Sequence, residues 1–299
     1  MKLVITGGCG LTGSIFLEKI SKLLKDIEII AIVRSTTQRK SIENLNLNLT
    51  YQIGDSSDSR TWTSLLENHC PDVVVHIASI NHLSILLDSF KDKNYCPHLI
   101  VIGSTGVYSK YRQASTLKQE MENRLMNYEG TWCLLRPTLI YGSERDKNLH
   151  KLIKFCDRYG FFPVFGSGSS LIQPVYAEDL AKAILTALQR PHIQGSYDLS
   201  GGTVVTFREL LTLVGKLLGK PVRQISLPMN IGVWSATIIE NLLRERSPVR
   251  REQILRLQED KDFSHLAAQK DLDFQPRSLE EGLKEEIELL KSKKIIGFN

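Results

Sequence analysis

The sequence has no apolar run approaching the roughly 20 residues that cross a bilayer as a helix, so no membrane partner is expected. It has no basic tract either. Lysine and arginine number 38 against 33 acids, a net charge of +5 spread along the chain, whereas nucleic-acid binding normally shows a concentrated cationic face. Cysteine is scarce: Cys9, Cys70, Cys96, Cys133 and Cys156 are odd in number and scattered, with no CxxC pair. That pattern argues against a metal site and for reduced thiols in a cytoplasmic protein. A secretory leader is not expected, because Met1–Thr6 runs straight into a glycine cluster. What is present is 42% hydrophobic and 24% charged residue content over 299 residues. That is a globular composition with a large core, too long for one ordinary domain.

Short β-branched runs alternate with amphipathic stretches through the first half. The pattern predicts strands at Lys2–Thr6, Glu28–Val33, Leu49–Ile53, Asp72–Ile77, His98–Ile102 and Thr131–Leu135. Helical spacing falls between them at Leu11–Leu24, Trp62–Asn68, Leu83–Phe90 and Arg112–Asn127. The strand runs are continuously apolar, as in Val73-Val74-Val75, which fits a parallel sheet covered on both faces. The fold class is therefore α/β, a doubly wound parallel sheet of the Rossmann type. The rhythm changes after Tyr141, and Phe165–Ser170 reads as a flexible loop. Beyond it come a strand at Gln173–Tyr176, a helix at Asp179–Gln189, a strand near Tyr197–Leu199, and mostly helix. The expected organisation is a dinucleotide-binding core over 1–168 and a smaller, mostly helical lobe over 169–299, with some of its strands returning to the core sheet.

Thr6-Gly7-Gly8-Cys9-Gly10-Leu11-Thr12-Gly13 joins the first strand to the first helix. Glycine is needed where the turn is tight, where backbone approaches a pyrophosphate and where helix packs on strand. The helix amino terminus then offers unpaired N–H groups and partial positive charge to the phosphates. The end of the second strand chooses between cofactors. An acid there binds the ribose 2′-hydroxyl of NAD, but this chain reads Val33-Arg34-Ser35-Thr36-Thr37-Gln38-Arg39-Lys40, its next acid being Glu43. Cations and hydroxyls suit a 2′-phosphate, so NADP is the expected cofactor, with NAD as the alternative and Arg34 the chief contact.

These motifs, with Gly54-Asp55-Ser56-Ser57-Asp58, Pro71–Ser79, Gly103–Tyr108, Leu135–Gly142 and Gln173–Ala181, resemble the NAD-dependent epimerase/dehydratase proteins, the extended or atypical short-chain dehydrogenase/reductases. The resemblance implies that Asp55 meets the adenine amine, that Ala78 and Ser79 run along the cofactor, and that Pro137 and Thr138 lie near the nicotinamide. His76, in a strand, reads as a core histidine. Gly201–Leu210 and Gln275–Leu279 look closer to the atypical branch, which includes the accessory Rossmann subunit of respiratory complex I. Ile172 stands where many nucleotide-sugar enzymes carry an arginine.

The family's chemistry uses a Ser or Thr that polarises a carbonyl, a Tyr that exchanges the proton and a Lys that holds the ribose. Ser104 matches the first and Lys118, with Glu122, matches KxxxE; four residues before Lys118, where YxxxK demands tyrosine, stands Ala114. If the helix begins near Tyr111, then Tyr111, Ser115, Lys118 and Glu122 share one stripe, and Tyr111 or Tyr108 could move the proton. The expected function is an oxidoreductase or epimerase acting on a small polar carbonyl or hydroxyl substrate, a nucleotide sugar being the candidate. The alternative is a non-catalytic NADP-binding sensor, assembly factor or scaffold. The partner is then a small-molecule substrate, and the chain a monomer or homodimer.

Overall fold

The computed structural model describes residues 1–24, 26–35, 42–146, 148–243 and 251–297. Parallel strands, most of them joined by helices, build the core. Strands β1 (Lys2–Thr6), β2 (Glu28–Val33), β3 (Asn48–Ile53), β4 (Val73–His76), β5 (His98–Ile102) and β6 (Trp132–Pro137) are joined by β11 (Gly195–Leu199) in one seven-stranded sheet, ordered β11-β6-β5-β4-β1-β2-β3. Every pairing in it is parallel. The order reverses between β1 and β4, and in such sheets ligands bind in the crevice at the carboxyl ends of the strands there.

Helices cover both faces, which explains the unbroken apolar strands. On one side pack α1 (Leu11–Leu23), α6 (Ala177–Gln189) and α10 (Leu266–Leu272), through Phe16, Leu17, Ile20, Leu180, Ile184 and Leu272. On the other lie α2 (Ser59–Asn68), α3 (Leu83–Asp92) and α4 (Arg112–Met126), through Trp62, Leu65, Leu86, Phe90, Met121 and Leu125. Each fully buried Leu, Ile or Phe contributes about 1.5–3 kcal/mol. Packing therefore holds α1, whose cap is Gly10 and supplies no side-chain hydrogen bond.

A third cluster lies in the second half, among α5 (Leu149–Tyr159), α7 (Phe207–Leu218) and α11 (Leu279–Ser292). Both α7 and α11 open with complete capping boxes, Thr206 with Glu209 and Ser278 with Glu281. The second half holds more strand than the sequence pattern predicts. Strand β13 (Arg223–Leu227) pairs in parallel with β8 (Phe161–Phe165), and β12 (Val205–Thr206) pairs with β9 (Leu171–Ile172). Polar, half-exposed β13 carries little apolar signal, and its partner lies some 60 residues away. The strand expected at Gln173–Tyr176 is shorter: β10 (Val175–Tyr176) pairs with β7 (Ile140–Tyr141), because Pro174 has no N–H to give a ladder.

Arg277 ties the carboxyl-terminal segment to the core. Its guanidinium lies 2.8 Å from Glu178 and 3.0 Å from Asp179 at the start of α6, and stacks 4.0 Å from the Tyr176 ring centre. Glu178 also takes Lys19 of α1 at 2.7 Å. These two acids thus serve the helix terminus and the junction.

Candidate active site

The glycine loop closes on itself at the end of β1. Gly10 N donates to the Gly7 carbonyl at 2.9 Å, and Ser14 N donates to Gly10 at 3.0 Å, starting α1. Gly7 has φ +70°, and a methyl there would lie 3.0 Å from Ala78 N. A methyl at Gly13 would lie 2.3 Å from the Gly7 carbonyl oxygen, so helix and turn touch backbone to backbone. Leu11 and the buried Thr12 begin the helix, whose first turn carries no acidic side chain. This cradle fits a dinucleotide: glycines admit the diphosphate and unopposed amides face it. Arg145, from the turn after β7, lies across the same loop, donating Nη1 to Ser14 Oγ at 2.9 Å and Nη2 to the Cys9 carbonyl.

Thr6 binds the neighbouring strand. Its buried hydroxyl accepts from Ala78 N at 3.2 Å and lies 3.0 Å from His76 Nδ1. Burial drives the His76 imidazole down to about 4, a neutral core histidine. Ala78 follows β4 against Gly7, and Ser79 comes next, its hydroxyl accepting from Asn81 N at 3.4 Å. At the end of β3, Asp55 accepts from Ser57 N at 2.9 Å and from Ser57 Oγ at 2.7 Å. Those bonds, with the Arg34 charge nearby, hold its carboxyl below the usual range. Arg34 and Asp55 therefore share one end of the crevice. Residues 36–40, the rest of the basic run, lie outside the described residues, as do Lys147 and Arg250; Arg251 opens α9 (Arg251–Leu255).

At the end of β5 the chain turns through Ser104. Its Oγ accepts from Gly106 N at 3.1 Å, which leaves the hydroxyl hydrogen to donate elsewhere. Gln119 of α4 donates to the Val107 carbonyl at 3.0 Å and pins the loop. Helix α4 is capped by Tyr111, whose carbonyl accepts from Ser115 N and Ser115 Oγ, both at 3.2 Å. Ser115 and Glu122 are buried, and Lys118 and Tyr111 half-buried. Nothing is described of the Ala114 side chain. Ser104 and Lys118 both approach Gly106, where a methyl would sit 3.3 Å from Ser104 Oγ and 3.6 Å from Lys118 Cε. Pro137 accepts from Thr105 Oγ1 at 3.4 Å, and Thr138 Oγ1 donates to the Gln173 carbonyl at 2.5 Å.

The two tyrosines have different settings. Tyr108 donates its hydroxyl to Asp198 of β11, 3.0 and 3.1 Å from the two oxygens, and accepts from Arg136 Nη1 at 3.1 Å. Its ring stacks on Phe263 at 5.3 Å. Burial and the Asp198 carboxylate push the phenol up to about 12, opposite to the shift an acid–base tyrosine needs.

Residues 3–123 match the NAD dependent epimerase/dehydratase family. Over those residues the chain resembles that family. Residues 108–202 of this epimerase/dehydratase-like chain also match the 3-beta hydroxysteroid dehydrogenase/isomerase family. Among curated proteins, it is 29% identical over 163 residues to "NADH dehydrogenase [ubiquinone] 1 alpha subcomplex subunit 9, mitochondrial" of Arabidopsis thaliana, covering 48% of this chain and 40% of that one. It is 25% identical over 174 residues to "Short-chain dehydrogenase/reductase family 42E member 1" of Mus musculus, 54% of this chain and 44% of that one. The matches thus span less than half of either relative. Two solved structures share the fold. UDP-glucose 4-epimerase from Thermotoga maritima, with UDP-glucose, has TM-score 0.75 and 18% identity, covering 98% of this chain and 100% of that one. dTDP-glucose 4,6-dehydratase from Bacillus anthracis, with NAD, has TM-score 0.74 and 16% identity, covering 98% and 97%.

Residue patterns alone did not single out Arg136, Asp198, Arg256 or Glu259. An arginine inside the apolar strand Leu134-Leu135-Arg136-Pro137 must find a buried partner, and that was the available signal for Arg136. Nothing local marks Arg256 and Glu259, which come from a segment about 150 residues beyond the loop they touch.

Proposed function

We propose that this chain is an NAD(P)-dependent oxidoreductase or epimerase of the epimerase/dehydratase type, acting on a carbonyl or hydroxyl of a nucleotide sugar. The observation that supports this reading is that Ser104 Oγ and the Lys118 side chain both approach Gly106, at the same strand ends as the glycine cradle. Gly7, Gly10, Gly13 and the first amides of α1 hold the diphosphate, Asp55 and Arg34 the adenosine end, and Lys118 the second ribose. Arg34 stands at the end of β2, where an acid would bind the ribose 2′-hydroxyl, and so favours NADP over NAD. When bound, the cofactor supplies hydride transfer. Ser104 donates its hydroxyl hydrogen to the substrate oxygen, and Tyr111 is the phenol that exchanges the proton, since Tyr108 is held by Asp198 and Arg136. The names of the two sugar-nucleotide structural neighbours support the substrate class.

Ala114 favours a second reading, a protein that binds the cofactor without turning it over. The partial match to a complex I subunit supports it too. One experiment separates them: purified protein with NADPH or NADH, titrated by nicotinamide fluorescence and then followed at the nicotinamide absorbance with keto-sugar nucleotides. Turnover supports the enzyme; tight cofactor binding without oxidation of any substrate supports the second reading.

A further inference from the structure

A short segment after α9 reaches back into the site. Arg256 places Nη2 beside Gly106, 3.7 Å from where a methyl there would lie, on the same side as Ser104 Oγ and Lys118 Cε. Its Nε donates to Glu259 at 3.2 Å. Glu259 is buried and also accepts from Ser109 Oγ at 2.8 Å and Lys110 N at 2.9 Å. It therefore fixes both the guanidinium and the loop beneath it. Lys261 adds a third cation, donating to the Arg256 carbonyl at 2.7 Å, and Glu252 is the acid facing Lys118 from α9.

Cations crowd this corner of the site. Burial and the Arg256 charge both push Lys118 below its ordinary value, with Glu252 opposing them only in part. Lys261 is likewise lowered by burial and by Arg256, with Glu259 and Asp260 opposing. Two like charges converging on a half-buried space repel, and an anion between them removes both the repulsion and part of the desolvation. Holding a ribose requires a hydrogen-bond donor; it does not require a second cation. The position a methyl on Gly106 would take lies 3.6 Å from Lys118 Cε and 3.7 Å from Arg256 Nη2, between the two cationic side chains.

The geometry points to an anion subsite formed by Arg256 and Lys118 beside Ser104, so that the substrate carries a carboxylate next to its reacting carbon, as a uronic-acid sugar does. This rests on the proposed function, because Ser104 marks the reacting end only if that reading holds. An anionic group there accepts from the Arg256 Nη edge, while Glu259 keeps the guanidinium in place through Nε, a charge-assisted and directional arrangement.

The test uses the full chain loaded with cofactor, and two probes that differ by one group, UDP-glucuronate and UDP-glucose, titrated by calorimetry. The expected result is at least tenfold tighter binding of UDP-glucuronate, a preference lost in Arg256→Gln and largely kept in Arg256→Lys. Circular dichroism and the cofactor affinity of each variant check folding. Equal affinity for the two probes overturns the subsite, as does a preference that survives in Arg256→Gln. Equal weakening of both probes by Arg256→Gln also overturns it, by moving the contact to the diphosphate they share. If nicotinamide fluorescence shows no cofactor bound at all, the proposed function itself fails and the subsite goes with it. Cofactor binding with no affinity for either sugar nucleotide overturns the nucleotide-sugar reading together with the subsite, whereas equal affinity for the two probes overturns the subsite alone.

Discussion

Arg136 of β6 grips Glu122 of α4 through both carboxylate oxygens: Nε lies 3.0 Å from each, and Nη2 lies 2.7 Å from Oε2. Both side chains are at most one-tenth exposed. Asp198 stands 3.6 Å from the other face of the guanidinium, and Tyr108 completes the group. The KxxxE glutamate thus anchors the helix that carries Lys118 to the sheet beneath the site. A pair this buried adds little over apolar packing, yet removing one partner strands the other.

Glu122→Ala is therefore expected to cost about 3–5 kcal/mol of stability. Glu122→Ala with Arg136→Met should recover most of that loss. Urea unfolding of the two single variants and the double variant checks it, and an additive double variant contradicts it.

Tyr108→Phe and Tyr111→Phe should separate cleanly. The first removes a hydroxyl held by Asp198 and Arg136, so stability falls by about 1–3 kcal/mol while turnover stays within several-fold. The second should lower turnover about 10²–10⁴-fold with little effect on unfolding. Rates at the nicotinamide absorbance, beside thermal melts, report both; the reverse ranking would assign the proton to Tyr108.

Arg34→Glu should reverse the cofactor preference. The variant puts an acid where a ribose 2′-hydroxyl is bound and a 2′-phosphate repelled. NADPH affinity is expected to fall at least tenfold relative to NADH by fluorescence titration. An unchanged ratio would show that Arg34 does not read the 2′ position.

Glu286 of α11 is fully buried. Burial, with Asp146 and Glu144 nearby, pushes its carboxyl up to about 10, against 4.5 for the unburdened group. Between those values the unfolded chain ionises this residue and the folded chain does not. Its contribution is complete below about pH 4.5 and is lost as the pH rises toward 10, by up to about 1.4 kcal/mol per pH unit. Glu286→Gln stays neutral and lacks that slope, so it should gain stability over the parent at pH 8 compared with pH 5. Denaturant midpoints at the two pH values decide it.

The core strands were legible because each is short, apolar and punctuated. The glycine loop was legible because its spacing serves one local turn, and the start of α4 at Arg112, just after Tyr111, was legible from helical spacing. Strand β13 was not legible, because a polar edge strand takes its conformation from β8 far away in the chain. The partners of Tyr108 were not legible either: Tyr108, Arg136 and Asp198 come from three elements, and only the β6–β11 register, Arg136 opposite Asp198, brings them together.

The amino-acid order by itself determined the parallel α/β core, the dinucleotide turn and the absence of tyrosine at position 114, because these depend on local periodicity, on glycine's missing side chain and on residue identity. Tertiary structure alone decided which tyrosine is tied down and which cation faces Lys118. Those outcomes depend on burial and on contacts between segments 90 to 150 residues apart, and no local pattern carries the energy of a contact that forms only when the chain has closed.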